Sequence, residues 1–273
     1  MADLLPTLLP GLVIAGVFAW FSFRFAWWRK SVPPAQPRIL MYHMVREPLV
    51  GGRFNKMRVA PEMFRRQIEW LHHNGWTFCF LSEILGAPSN AAKRVVLTFD
   101  DGYRDNLLHA LPVLQEFQAK ATLFPVVHRE RGYDWSTHKK ASHAGGELGG
   151  EPKLSDAEIA SMLESGLVEL GGHSVMHANL PALGDAQAWN EIHGCKAALE
   201  NTFGVPVPTF CYPFGLFGPR EIELVRKAGF IGAVTTEQGI GATNPFDLPR
   251  VKVSGTEGLF AFRLRIRTGR RGC

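Results

Sequence analysis

The chain is poor in cysteine and shows no cysteine pattern. Four occur in 273 residues, and Cys79, Cys195, Cys211 and Cys273 show no Cys-x-x-Cys spacing. That argues against a disulfide framework and allows, without requiring, a reducing compartment. No internal repeat is visible. Net charge is small, +5 at pH 7, and its placement says more than its size. Residues 1–38 carry Arg24, Arg29, Lys30 and Arg38 against Asp3 alone. The end of the chain carries Arg263, Arg265, Arg267, Arg270 and Arg271, and the middle is near balance. A neutral body with basic ends is not the footprint of a nucleic-acid binder. No basic residue precedes the first apolar run, and no small-residue site closes it; the run ends Phe-Arg-Phe-Ala-Trp-Trp. A cleaved signal peptide is disfavoured on both counts.

That run, Leu4 to Phe23, is almost wholly apolar, with Pro6, Pro10 and Ser22 as interruptions. About twenty apolar residues suffice to span a bilayer as a helix. Trp20, Trp27 and Trp28 gather at its C-terminal edge, where an interfacial aromatic belt would lie. The reading is an uncleaved single-pass anchor over residues 1–30, with a buried core helix as the competitor. All flanking Lys and Arg follow the run. The positive-inside rule then predicts attachment to the inner (cytoplasmic) membrane with the rest of the chain in the cytoplasm. Ser31 to Pro37 reads as a short, stiff, Pro-rich linker.

Beyond the linker, apolar runs alternate with helical patterns. Strands are expected at Ile39–Met44, Trp76–Leu81, Val95–Phe99, Ala121–Val127, Leu167–Leu170, Thr209–Tyr212, Ile231–Thr235 and Val251–Val253. Helices are expected from Pro61, over Tyr103–Phe117 with a bend at Pro112, over Asp156–Ser165, from about Asp185 to Phe203, and over Pro219–Ala228 closed by Gly229. Such alternation predicts parallel βα units in one large α/β domain over residues 38–255. Residues 128–153 break the rhythm as a long loop, of the kind that is usually functional. Residues 256–273 form a basic tail. Apolar residues and Arg alternate there, as in a strand or one face of a short helix suited to anionic lipid headgroups.

Two stretches carry chemistry. The buried-strand pattern Val95 to Leu97 runs into adjacent carboxylates, Asp100 and Asp101, and a turn glycine, Gly102. Paired acids at a strand end repel, so a metal or a basic partner must neutralise one of them; a solvated turn is the plain alternative. Past another strand, His173 and His177 stand four apart. If that segment turns helical, both imidazoles reach one metal, and two His with one carboxylate make a facial site with open positions. The same donor set also serves non-haem iron oxygenases.

Thr98-Phe-Asp-Asp-Gly102 and His173-Ser-Val-Met-His177 resemble the first two motifs of the polysaccharide deacetylases with a NodB homology domain, carbohydrate esterase family 4. Arg38-Ile-Leu-Met-Tyr-His-Met44, Phe210-Cys-Tyr-Pro-Phe-Gly215 and Leu248-Pro-Arg-Val-Lys-Val253 are similar to further motifs of the branch related to poly-N-acetylglucosamine deacetylases. The resemblance implies a distorted, incomplete (β/α) barrel. It also implies hydrolysis of an N-acetyl group from an amino sugar, with Asp101, His173 and His177 on one divalent metal and Asp100 as general base. Zinc is the default ion; iron, cobalt or nickel suit similar ligands. The closing motif lacks the His of the wider family; the resemblance to the branch implies that the general acid is supplied from the first strand instead, by His43. Tyr212 is expected to stabilise the oxyanion through its backbone N–H or hydroxyl, Arg250 to orient Asp100, and Trp135 to stack on a sugar ring. With the anchor and the basic tail, the expected substrate is an N-acetylated glycan or a lipid-linked sugar. A non-catalytic glycan-binding barrel is the competing function.

Overall fold

A computed structural model of the chain describes residues 5–86, 93–129, 146–241 and 243–270. Its strands are β1 (Arg38–Tyr42), β2 (Met44–Val45), β3 (Arg58–Val59), β4 (Thr77–Phe78), β5 (Arg94–Asp101), β6 (Ala121–Pro125), β7 (Val168–Leu170), β8 (Thr209–Cys211), β9 (Gly232–Gln238) and β10 (Leu248–Lys252). The main sheet runs β7-β6-β5-β1-β10-β9-β8, with β4 beside β5, and β2 and β3 form a separate pair. The pairings are parallel. Strands so placed have both faces covered, which is why β5 reads as a continuous β-branched and apolar run.

The gap between β7 and β8 is crossed by a parallel bridge between Gly172 and Phe210. The Gly172 N–H donates to the Thr209 carbonyl and the Cys211 N–H to the Gly172 carbonyl, each at 2.8 Å. The result is a nearly closed parallel α/β barrel. Only glycine fits the approach to that seam: a Cβ at Gly171 would stand 2.2 Å from Phe124 Cε1.

The helices are α1 (Leu5–Phe25), α2 (Pro61–His73), α3 (Leu81–Gly86), α4 (Leu111–Glu116), α5 (Asp156–Glu164), α6 (Asp185–Phe203), α7 (Pro219–Lys227) and α8 (Leu259–Thr268). α2 buries Phe64, Ile68 and Leu71, the i, i+4, i+7 spacing of one helical face. α5 opens with a reciprocal cap between Ser155 and Glu158. The helix expected over Tyr103–Phe117 forms from Asp105 to Glu116. A π-helical turn, Asn106–Ala110, leads into α4, and Pro112 sits in the first turn of α4, where its missing N–H costs nothing.

One expectation at the chain ends is corrected. Among the described residues no helix is long and apolar enough to cross a membrane. Pro10 lies inside α1 and Arg24 in its last turn. The unbroken apolar stretch between them rises only about 20 Å, against a hydrocarbon core of about 30 Å. The spanning anchor is therefore unsupported, and the positive-inside argument loses the crossing it needs. The basic C-terminal segment takes the helical of its two expected forms, as α8. α8 buries Phe262 and Ile266 in the main core, and Phe262 meets Trp70 of α2 edge to face at 6.1 Å. Its Arg265 is buried and donates to the Lys252 carbonyl and to Glu257. Glu257 also accepts from Arg24 at 3.0 Å, and the Val32 N–H donates to the Arg267 carbonyl at 2.8 Å.

Candidate active site

β5 delivers Asp100 and Asp101 to the C-terminal mouth of the barrel, the face on which such folds place their chemistry. Asp100 is 2% exposed and is gripped from β10. Arg250 donates from Nη1 to Oδ1 and from Nη2 to Oδ2, both at 2.7 Å. Arg250 is itself fully buried. It is fixed by the Thr235 carbonyl at 2.8 Å, the Thr98 hydroxyl at 2.9 Å and the Cys211 sulfur at 3.3 Å. Burial pushes the Asp100 pKa up, but the Arg250 charge and its two hydrogen bonds win and hold it below the usual carboxylate value.

Asp101 turns the other way. Its φ is +74°, followed by Gly102 at +72°. Left-handed backbone is strained for most residues and tolerated by Asp, and it clusters at functional sites. The turn brings Asp101 Oδ1 to 3.3 Å from both His173 Nε2 and His177 Nε2. The segment after Gly172 does not turn helical. Residues 171–179 form a loop, with Ser174 at φ +63° and His177 at φ +51°, and this loop makes the two imidazoles converge. Phe214, also left-handed at φ +59°, packs edge-on against His177 with ring centres 4.3 Å apart.

These donors fit a metal ion. One ligand atom from each of Asp101, His173 and His177 lies within 4.8 Å of the others, and all three residues are buried. The His173 Nδ1 sits 2.7 Å from the Cys211 carbonyl, which can only accept. Nδ1 therefore carries the proton, and Nε2 presents a lone pair toward Asp101 when the ring is neutral. Burial lowers the His177 pKa to about 4, so this imidazole is neutral and ready to ligate at ordinary pH. Burial also disfavours charge on His173, yet Cys211 and Asp101 beside it carry its pKa well above the usual imidazole value. An incoming cation would displace that proton.

His43, at the end of β1, holds Nε2 3.9 Å from Asp100 Oδ2. Its backbone is braced by residues that no sequence motif marks. Asn106 Nδ2 donates to the His43 carbonyl at 2.9 Å and to Asp105 Oδ1 at 3.1 Å. Asp105 Oδ1 accepts the Val45 N–H at 2.9 Å. Asn106 opens the π-helical turn and Asp105 stands immediately before it. Tyr212 lines the cavity, but its N–H donates to the Val234 carbonyl at 3.3 Å and its hydroxyl to the Phe246 carbonyl at 3.0 Å. Both donors expected at the oxyanion are engaged with backbone. Trp135 lies outside the described residues.

The cavity over these groups measures about 290 Å³ and is otherwise lined by Met41, Met57, Phe54, Leu148 and Phe214 among others. Buried Arg58 pairs with Glu147 at 2.6 Å and Glu151 at 2.7 Å, on either side of Leu148 in the chain. A mostly apolar chamber with a few convergent polar groups is the usual form of a small-ligand site.

Comparison with known proteins follows the same line. The polysaccharide deacetylase family model matches residues 87–233. YxkH of Bacillus subtilis (strain 168), named as a polysaccharide deacetylase, is 28% identical over 233 residues, 83% of this chain and 75% of its own. The poly-beta-1,6-N-acetyl-D-glucosamine N-deacetylase of Escherichia coli O157:H7 is 25% identical over 278 residues, covering 88% of this chain. The match takes in only 41% of that enzyme's length. A crystal structure of a polysaccharide deacetylase from Bacillus cereus superimposes with a TM-score of 0.70 at 26% identity, over 85% of this chain and 69% of that one.

Proposed function

On the premise that the chain belongs to the polysaccharide deacetylase family and is a hydrolase of amide bonds, we propose that it removes the acetyl group from an N-acetylated amino sugar in a metal-dependent reaction. One observation carries this reading: Asp101, His173 and His177 converge on one point, while Asp100 stands beside them, held ionised by Arg250. The relative that is named as a poly-beta-1,6-N-acetyl-D-glucosamine N-deacetylase favours N-acetylglucosamine as the sugar, in a polysaccharide or a lipid-linked glycan.

A divalent ion held by Asp101, His173 and His177, zinc by default, would acidify water and polarise the amide carbonyl. The remaining work belongs to the chain. Asp100 takes the proton of the attacking water, and Arg250 keeps that carboxylate ionised and aimed. As the new C–O bond forms and the C–N bond breaks, His43 gives a proton to the leaving amine, yielding acetate and a free amino sugar. His43 and Asp100 face one locus 3.9 Å apart, as a base and an acid serving one bond require. Met41, Met57, Leu148 and Phe214 exclude bulk water, which strengthens each of these charges.

Acetate release from N-acetylglucosamine oligomers in the presence of metal tests the assignment. Asp100→Asn should keep metal and sugar binding and lose turnover by about 10²–10⁴-fold. A variant with normal rate removes Asp100 from the mechanism, and binding without turnover in the unaltered chain returns the protein to a glycan-binding barrel. The exposed Ile14, Val17, Trp20 and Phe23 of α1 favour attachment at a membrane surface. Co-flotation with anionic vesicles that survives loss of α1 would remove that assignment.

A further inference from the structure

We propose that the N-terminal end of the barrel binds a single-chain amphiphile with an anionic head, a carboxylate or a phosphate monoester, and that Arg94 receives the head. The site lies at the opposite end from the catalytic groups and stands independently of the hydrolase reading. A cavity of about 660 Å³ opens there, within the usual range for small-ligand sites.

Strand period places Arg94 in it. Side chains two apart on a strand share a face, so Arg94, Val96, Thr98 and Asp100 form one row on β5. Thr98 and Asp100 of that row both meet Arg250 inside the barrel. Arg94 is the first residue of β5, and six residues of strand set it about 20 Å from Asp100. Between the two ends the interior is filled by a packed apolar layer that includes Ile39, Val96, Phe124, Cys211 and Val234. This layer separates the cavity from the catalytic chamber, and the two have no lining residue in common.

Two features of the walls define the ligand. The first is an uncommitted cation. Among the described residues the Arg94 guanidinium has no ion pair, its Nε is buried without a hydrogen-bond partner, and no carboxylate lines the cavity. A buried donor left unmet is costly, and the planar fork of a guanidinium suits a carboxylate or a phosphate. The second feature is the apolar surround. Ile39, Ile84, Leu85, Ile240 and Leu248 line the same cavity, with Gln36 and Thr243 as further polar side chains. A small hydrophilic anion would leave the apolar walls wet, whereas a hydrocarbon chain covers them.

Titration calorimetry on the full chain tests this with four probes: laurate, dodecyl phosphate, dodecanol and inorganic phosphate, the first three kept monomeric. A chelator is present, because a carboxylate also ligates metal at the other mouth. Laurate or dodecyl phosphate should bind about ten- to a hundredfold more tightly than dodecanol, and inorganic phosphate more weakly than dodecyl phosphate. The preference between the two amphiphilic anions identifies the head. Arg94→Met should bring both down to the affinity of dodecanol, and Arg94→Lys should keep part of the difference. Thr243 is exposed, so Thr243→Glu sets a carboxylate in the cavity without touching the core. It should remove the same preference, which keeps the test decisive if Arg94→Met folds poorly. No binding of either anionic amphiphile, dodecanol bound as tightly as both, or a preference kept in Thr243→Glu and Arg94→Met overturns the proposal. Binding that the chelator abolishes overturns it too, since the ligand would then sit at the catalytic mouth.

Discussion

Replacing Arg250 by methionine keeps much of its volume and removes its charge. Arg250 and Asp100 share two 2.7 Å hydrogen bonds at 0% and 2% exposure. Removing one member of such a buried pair leaves an uncompensated charge and costs about 3–5 kcal/mol. Burial already pushes the Asp100 pKa upward, and only Arg250 and the imidazoles oppose it. Without Arg250 the folded-state value should rise above the unfolded one of about 3.9. The sign of the linkage then inverts. In the unaltered chain the depressed Asp100 pKa contributes stability above about pH 4 that is lost as pH falls through the folded value. In Arg250→Met, stability should fall as pH rises from about 4 through the raised value. Urea unfolding at pH 5 and pH 8 reads the slope of the variant; the unaltered chain should show no Asp100-linked change between them, since its folded and unfolded values both lie below pH 5. Arg250→Met/Asp100→Asn should recover most of the loss, since neither charge remains, and the acid limb of the pH–rate profile of Arg250→Met should move to higher pH. A loss under about 1 kcal/mol, equal at both pH values, would refute the reasoning, because the pair would then not be desolvated.

Chelation should abolish acetate release and lower the melting temperature. At an ion concentration a hundredfold above Kd the linkage is about 2.7 kcal/mol, or roughly 5–10 °C, restored by adding metal back. His43→Gln should lower kcat by about 10²–10⁴-fold with metal content unchanged by elemental analysis. Asn106→Ala should lower kcat by up to about 100-fold through a misplaced His43, with KM little changed, and loss of bound metal instead would show a wider collapse. Burial raises the Asp105 pKa to about 7. That group therefore makes stability fall as pH rises from about 4 to about 7, and Asp105→Asn should flatten that slope in thermal melts between pH 5 and 8.

The strands and the side chains at their ends were legible because they obey short-range rules. An apolar run that stops at two acids marks a strand end, and β5 is that strand. Arg250 could be proposed from its motif, but its two bonds to Asp100 depend on the placement of β10 and β5 on either side of β1, an order that periodicity does not encode. The histidines were found by spacing, and the spacing suggested the wrong backbone. His177 reaches Asp101 through left-handed residues, which leave no mark in an apolar pattern. Asn106 was missed because one polar residue in a helical stretch looks like a solvated position; its full burial is a tertiary fact. The partners of the Tyr212 donors were illegible for a related reason, since they are fixed by β9 and by Phe246. The chain ends were misjudged from composition alone. Arginines in α8 that looked like a membrane-facing stripe include one, Arg265, that knits the strand end at Lys252 to Glu257.

That knot has a practical outcome. With Val32 hydrogen-bonded to Arg267, the start and finish of the folded body lie side by side. A chain truncated just past its last motif, near residue 255, would lose Phe262 and Ile266 from its interior and should aggregate. A circular permutant that splices residue 268 to residue 32 and opens the chain at an exposed loop should fold, because the splice asks the backbone to bridge a gap it already closes.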